Sequence, residues 1–360
     1  MAGTLATSGI PASRIEIDGK DVTSVLRSRL TQLSMKITRG GHADEISMSF
    51  DATDGGLALP RRGVVASVMM GFLRSGVQLQ GGFTIDEVEH AGTPDVITVH
   101  GRSAKLASSI NTRKERSFSN STVDHLVKVI AGENGLTPRI SPKLGAIVVE
   151  QIDQTESDIA LLRRVGSMFD AVATVKNGYL IFAPIGQGAT VSGKVLPTLT
   201  IRRASGDRHR FHVADRDSYT GVRARWHDVD AAATKSTLSG QGGHVKVLRG
   251  HFATPEDAQR AASAEMARVK RGAATFEIAL AKGYPDALPE MPAKTYGWGD
   301  EIAAFDWIVE DATHTWTGDG GYTTHVSLEN KASASDHPAK DEGDESEDDG
   351  EADALNLPAP

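Results

Sequence analysis

The chain has 360 residues, no cysteine and 5% aromatic residues, a length that allows two or three domains with cores of their own. The missing cysteine excludes a disulfide framework, a thiol nucleophile and a cysteine zinc site, and no run approaches the roughly 18–20 apolar residues of a membrane span. The formal charge of −8 is unevenly spread: residues 332–360 hold ten acids and one lysine, a net of −9, which leaves 38 basic and 37 acidic residues in 1–331, a net of +1. That balance argues against a dedicated nucleic-acid binder.

Residues 1–10 are small and neutral, with no basic n-region and no apolar h-region, which reads as a soluble cytoplasmic chain without a secretory signal. The next ninety residues alternate as strands do. Ile15 and Ile17, then Val68, Met70 and Phe72, then Phe83 and Ile85, then Ile97 and Val99 each recur at period two, with Gly-rich turns between the runs. Leu26 and Leu30, four apart, suggest a short helix. Near residue 105 the period changes. Val123, Leu126, Val127 and Ile130 fall on one helical face after a start at Ser121–Asp124, with Gly132 or Gly135 as its stop. A second start at Thr155–Asp158 is followed by Ile159, Leu162, Val165 and Phe169 on one face. Asn177 and Gly178 then predict a two-residue hairpin between 172–175 and 179–183, because its turn needs positive φ at both positions. Strands are expected again at 199–202, 219–225, 245–248, 275–280, 307–310 and 323–328. One helix is embedded among them, capped by Thr254 with Pro255 at its first position.

Residues 332–360 contain no aromatic side chain and only Leu355 and Leu357 as large aliphatics, a composition that predicts a disordered, solubilising tail. Its charge also suits it to cover a basic patch such as Arg202–Arg210.

The candidate chemistry is thin. Gly188–Lys194 fits most of a phosphate loop, but Val195 stands where a hydroxyl residue is required and extended chain follows instead of a helix. His209 and His212, with Asp207, Asp215 and Asp217, have the residue types of a metal site but lie in an arginine-rich strand-like run. Glu156 and Asp158 are accounted for as acids in a helix's first turn, and Asp170 as a residue at the helix end. There is no Gly-x-Ser-x-Gly elbow. Arg202, Arg203, Arg208 and Arg210 form a basic cluster with Phe211 as its one aromatic, a pattern that suits a protein contact or a solvated face. No catalytic, cofactor-binding or metal-binding residue is assigned, and no cofactor is expected.

The ordered segments Asn111–Phe118, Ser121–Val123, Ile130–Leu136, Ile152–Asp158, Leu161–Val165, Phe169–Ala171 and Val175–Phe182 resemble the middle of the phage late control protein D family. Tyr219–Val222, Gly283–Pro285, Gly321–Thr324 and Leu328–Glu329 continue the likeness, which spans roughly 10–330. The resemblance implies a β-rich α+β chain: two tail-tube-like antiparallel β-barrels (1–105 and 188–331, the second with an embedded helix), an α/β domain between them (106–187), and the acidic tail (332–360). It implies a non-enzymatic hub in the baseplate of a contractile phage tail, assembled in the host bacterial cytoplasm. A homotrimer would join the six-fold tail tube to a three-fold spike, with tape measure and baseplate wedge proteins as further partners and neither membrane insertion nor sequence-specific nucleic-acid binding. Two other readings stay open: a hub or spike component of a type VI or phage-derived injection device, and a baseplate cell-wall hydrolase.

Overall fold

The computed structural model describes residues 9–40, 43–103, 108–213, 219–228, 231–319 and 321–331. The reading of 332–360 as disordered lies outside them, as do Asp215 and Asp217. The first segment runs β1 (Pro11–Ile17), β2 (Lys20–Asp21), α1 (Thr23–Leu26), β3 (Leu30–Thr38), β4 (Glu45–Asp51), β5 (Val65–Phe72), β6 (Gly76–Ala91) and β7 (Val96–Arg102). The middle segment runs β8 (Arg116–Thr122), α2 (Val123–Glu133), β9 (Thr137–Ile140), α3 (Pro142–Gly145), β10 (Val148–Gln154), α4 (Asp158–Met168), β11 (Ala171–Lys176) and β12 (Tyr179–Pro184). Then follow β13 (Leu199–Arg202), β14 (Gly206–Val213), β15 (Gly221–Asp228), β16 (Ala233–Gly240), β17 (Val245–Phe252), α5 (Pro255–Gly272), β18 (Ala274–Leu280), β19 (Pro292–Tyr296), α6 (Asp300–Ala303), β20 (Trp307–Thr317) and β21 (Gly321–Asn330).

Among the described residues, thirteen strands form one sheet along the path β14-β18-β21-β20-β3-β4-β7-β6-β5-β1-β2, with β19 joining β20 to β13. The path has two ends, so strand pairing does not close the expected barrels. The antiparallel pairing of β3 with β20, from Thr38↔Asp311 to Gln32↔Thr317, carries the sheet from the first segment into the last. One face of this sheet is apolar and covers two cores. The first gathers Leu33, Met35, Ile46, Met48, Val68, Phe83 and Ile85, together with Tyr322 from the far end of the chain. The second gathers Leu199, Phe276, Ile278, Trp307, Val309 and Leu328. The middle segment has its own core around Leu126, Ile130, Leu161, Leu162, Val165 and Phe182. A small fourth core lies between α5 and the separate sheet β16-β15-β17.

The caps refine the sequence reading. Thr122, not Ser121, caps α2, accepting from His125 N–H (3.2 Å). Ser157, not Thr155, caps α4, accepting from Ala160 N–H (3.4 Å). Glu156 therefore lies outside the helix and bonds Arg164 instead (2.8 Å). Gly132 lies inside α2; the chain leaves it through Asn134 and Gly135, the latter at φ 65°. Leu26 and Leu30 do not share a helix: α1 ends at Leu26 and Leu30 opens β3. The hairpin at Asn177 (φ 49°) and Gly178 (φ 79°) forms as its turn chemistry requires.

Candidate assembly surfaces and the charged junction

β20 is shared by three neighbours. Trp307 and Ile308 pair with β19, Asp311–Thr317 pair with β3, and the ladder to β21 slips between Val309 and Asp311. Such a slip bends a strand, and here it opens a fork between β3 and β19 at Glu310. Arg39 N–H donates to Glu310 O (3.2 Å) and Glu290 N–H to Val309 O (2.8 Å) across the fork. The same two residues meet there as an ion pair, Arg39 Nε facing Glu290 Oε1 without hydrogen-bond alignment. Arg39 also donates to Glu329 Oε1 (2.5 Å), which Arg271 Nε approaches to 3.4 Å. Arg271, at the end of α5, grips both carboxylate oxygens of Asp170, just past α4. These five side chains are only 5–15% exposed. Burial pushes the Glu290 carboxyl above its ordinary pKa against the pull of Arg39. One buried cluster thus ties together the first segment, the middle segment and the last.

The middle segment is also held by packing. Gly40, after β3, lies so close to β11 that a Cβ there would sit 2.0 Å from Val172 Cγ2. Lys176 Nζ donates to Thr38 O (2.6 Å) and Asp44 Oδ1 (3.0 Å), and Arg268 donates to Ser167 O and Oγ (both 3.0 Å). Within the segment, Asp158 is fully buried and accepts from Gln154, Lys114, Asn134 and Arg116 at 2.6–2.9 Å. Burial opposes its charge, but the hydrogen bonds from Gln154, Lys114 and Asn134 win and hold its carboxyl below the usual value. Its first-turn position at the α4 terminus therefore understates its part: it fastens β8, α2 and β10 to α4. The polar residues of Ile152–Asp158 and Asn111–Phe118 meet at this carboxylate.

Two kinds of surface remain for partners. The face of the large sheet opposite its cores carries a cross-strand row Glu87–His100–Ser47–Ser34–Thr315–Thr323, running unbroken over six strands and both segments. On the neighbouring rung of the same face Ser49 Oγ and Thr98 Oγ1 bond at 3.2 Å. Strand edges are the second kind. Among the described residues β14 pairs only with β18, and β16 and β17 each pair only with β15. Such edges are ready to take a further strand.

The weighed candidates stay apart as chemistry. Gly188–Lys194 closes a turn through an Ala189↔Val195 bridge. His209 stacks edge-on against Trp298 at 4.6 Å while His212 is exposed further along β14. Glu156 bonds Arg164, Asp158 its four donors, and Asp170 Arg271. Arg202 and Arg203 lie over Tyr296 and Trp298, and Arg210 stands opposite Glu277 in register. Sequence reasoning missed the junction, because Arg39, Asp170, Arg271, Glu290 and Glu329 are single charges scattered over the chain.

The family model for the phage tail baseplate hub (GPD) matches residues 44–320. A protein of Escherichia phage 186 named "Probable baseplate hub protein" is 34% identical over 376 residues, covering 93% of this chain and 96% of that protein. Its namesake in Escherichia phage P2 is 34% identical over 373 residues, covering 92% and 96%. Among solved structures, the 43 kDa tail protein of prophage MuSo2 from Shewanella oneidensis shares the fold with a TM-score of 0.67 at 12% identity, covering 88% of this chain and 98% of that one. With a family match over residues 44–320 and two relatives aligned over nearly their whole length, the chain belongs to the phage tail baseplate hub family, as a structural tail protein and not an enzyme.

Proposed function

We propose a specific form of the structural hub role: three copies close into a ring in the baseplate of a contractile phage tail. Each chain contributes two tube-subunit-like halves, 1–105 and 188–331, and the α/β unit 106–187 braces them. Six halves then face the six-fold tail tube on one side, and three chains face a three-fold spike on the other. Tape measure and wedge proteins are further neighbours, and assembly takes place in the host cytoplasm. The observation that carries this reading is the single sheet in which two cores stand side by side, joined through β3 and β20. The free edge of β14 supplies pairing capacity, and a closed ring is the arrangement in which such an edge does not polymerise. The polar row Glu87–Thr323 suits the channel wall, since hydroxyls wet the surface without gripping what passes.

Mass photometry of the chain with its tube and spike proteins tests the proposal. Trimers, and complexes with three copies per spike trimer, are expected. A chain that stays monomeric in the presence of both overturns it.

A further inference from the structure

We propose that the acidic segment 341–353 of this same chain docks on the open face of the β16-β15-β17 sheet and shields it before assembly. α5 covers one face of that sheet through Val222, Ala224, Ala258, Ala262 and Met266. The other face displays Arg223, Arg225 and His227 in alternate positions of β15, all exposed. Val247 (45% exposed) stands opposite Arg223, and His251 opposite Arg225. Among the described residues, the side chains of Arg223, Arg225, His227, Arg249 and His251 have no ion-pair or hydrogen-bond partner. Asp228 is the one acid on the three strands and is paired with Lys235 (2.8 Å). The face is thus a cationic surface without a counter-charge, a more open target than Arg202–Arg210.

Charge and reach identify the occupant. Residues 341–353 contain nine acids and no cation, and a dense polyanion is attracted to such a surface at close range. The last described residues lie beside the helix that covers the opposite face: Asn330 Nδ2 donates to Lys270 O at the end of α5 (3.1 Å). The nine residues 332–340 span up to about 30 Å when extended, enough to round a helix-on-sheet layer roughly 10 Å thick. A short tether also keeps the effective concentration of the segment in the millimolar range, so that weak contacts suffice.

Arginine-specific labelling of the full chain with phenylglyoxal, read peptide by peptide by mass spectrometry, tests this. The comparison is a full-length variant with the nine acids of 341–353 changed to amides. At low salt, Arg223 and Arg225 should label at least about three-fold more slowly in the wild type than in the variant, and the ratio should approach about one near 0.5 M salt, where screening reaches only a few ångströms. Arg61 and Arg62, exposed in a loop of the first segment, should label alike in both. In a second full-length variant, Arg223→Glu with Arg225→Glu, cleavage of the segment by a glutamate-specific protease should accelerate, which places the contact on this face. Equal labelling of Arg223 and Arg225 in wild type and amide variant at low salt overturns the proposal. Protection that fades on dilution assigns the segment to another copy and also overturns it. So does a short DNA duplex that shields these arginines in the amide variant better than the segment does in the wild type.

Discussion

His314 makes the stability of the last segment depend on pH with a definite sign. It is fully buried. Its Nε2 lies 3.3 Å from Ala287 O, a pure acceptor, so this nitrogen carries the hydrogen. Nδ1 is then the acceptor, with Tyr322 Oη at 2.9 Å and Thr324 Oγ1 at 3.2 Å. Burial pushes the ring's pKa down from 6.5 to about 4. The unfolded chain therefore binds a proton near pH 6.5 that the folded chain refuses until about pH 4. The stabilisation is complete above pH 6.5, declines through that window, and is gone below it. At about 1.4 kcal/mol per unit, the loss is about 3 kcal/mol. The perturbation that isolates it is His314→Gln, whose amide can still donate to Ala287 O but does not titrate. Urea midpoints of both proteins at pH 7, 5.5 and 4 give the difference in stability at each pH. The wild type should lead at pH 7, by about 1–2 kcal/mol for a well-formed buried network, and fall behind by pH 4. The raised Glu290 carboxyl acts in the opposite sense, its stability falling as pH rises through its folded value, but both proteins share it. A difference that is constant from pH 7 to pH 4 refutes the reasoning.

Three further outcomes follow from packing. Arg271→Met removes the cation between Asp170 and Glu329 and should cost about 3–5 kcal/mol; pulse proteolysis should locate the loss in the α/β unit and its seam with α5. Gly40→Val places a side chain on Val172 and should cost about 1–3 kcal/mol by overpacking, and Val172→Ala in the same chain should restore most of the melting temperature. Leu162→Asp puts an unpaired charge in a position with no solvent exposure, at a cost of several kcal/mol; a soluble, protease-resistant Leu162→Asp protein would show that this face of α4 is not buried.

What the sequence made legible was local. Alternation at Ile15, Val68, Phe83 and Ile97 marked strands because one face of each is buried, and Thr254 and Asn177–Gly178 marked a cap and a turn because their chemistry is confined to neighbouring residues. β3 and β4 went unassigned although they are the centre of the sheet. Their buried residues Leu33, Met35 and Ile37, then Ile46, Met48 and Phe50, do alternate at period two, so the strands themselves were legible; what no local pattern shows is their place beside β20, far along the chain. β16 escaped for another reason: little of it is buried, so no alternation appears, whereas β17 was expected in its first half, at 245–248. The cap of α4 was placed two residues early because Thr155 and Ser157 are both competent caps, and the choice follows from Asp158 turning inward to Lys114 and Arg116. The charged junction had no signal at all in one dimension.

The seam between β3 and β20 has a mechanical consequence. Its seven residue pairs are joined by hydrogen bonds that run across the strands. A pull along the strand axis loads all of those bonds together in shear, and the seam yields only if they fail at once. A pull across the sheet loads them one after another, beginning at Gln32–Thr317, the end away from the buried charges. The two halves of the chain are therefore coupled stiffly in one direction and weakly in the other. An assembly that drives axial force through this protein will transmit it faithfully when the strands lie along the line of thrust.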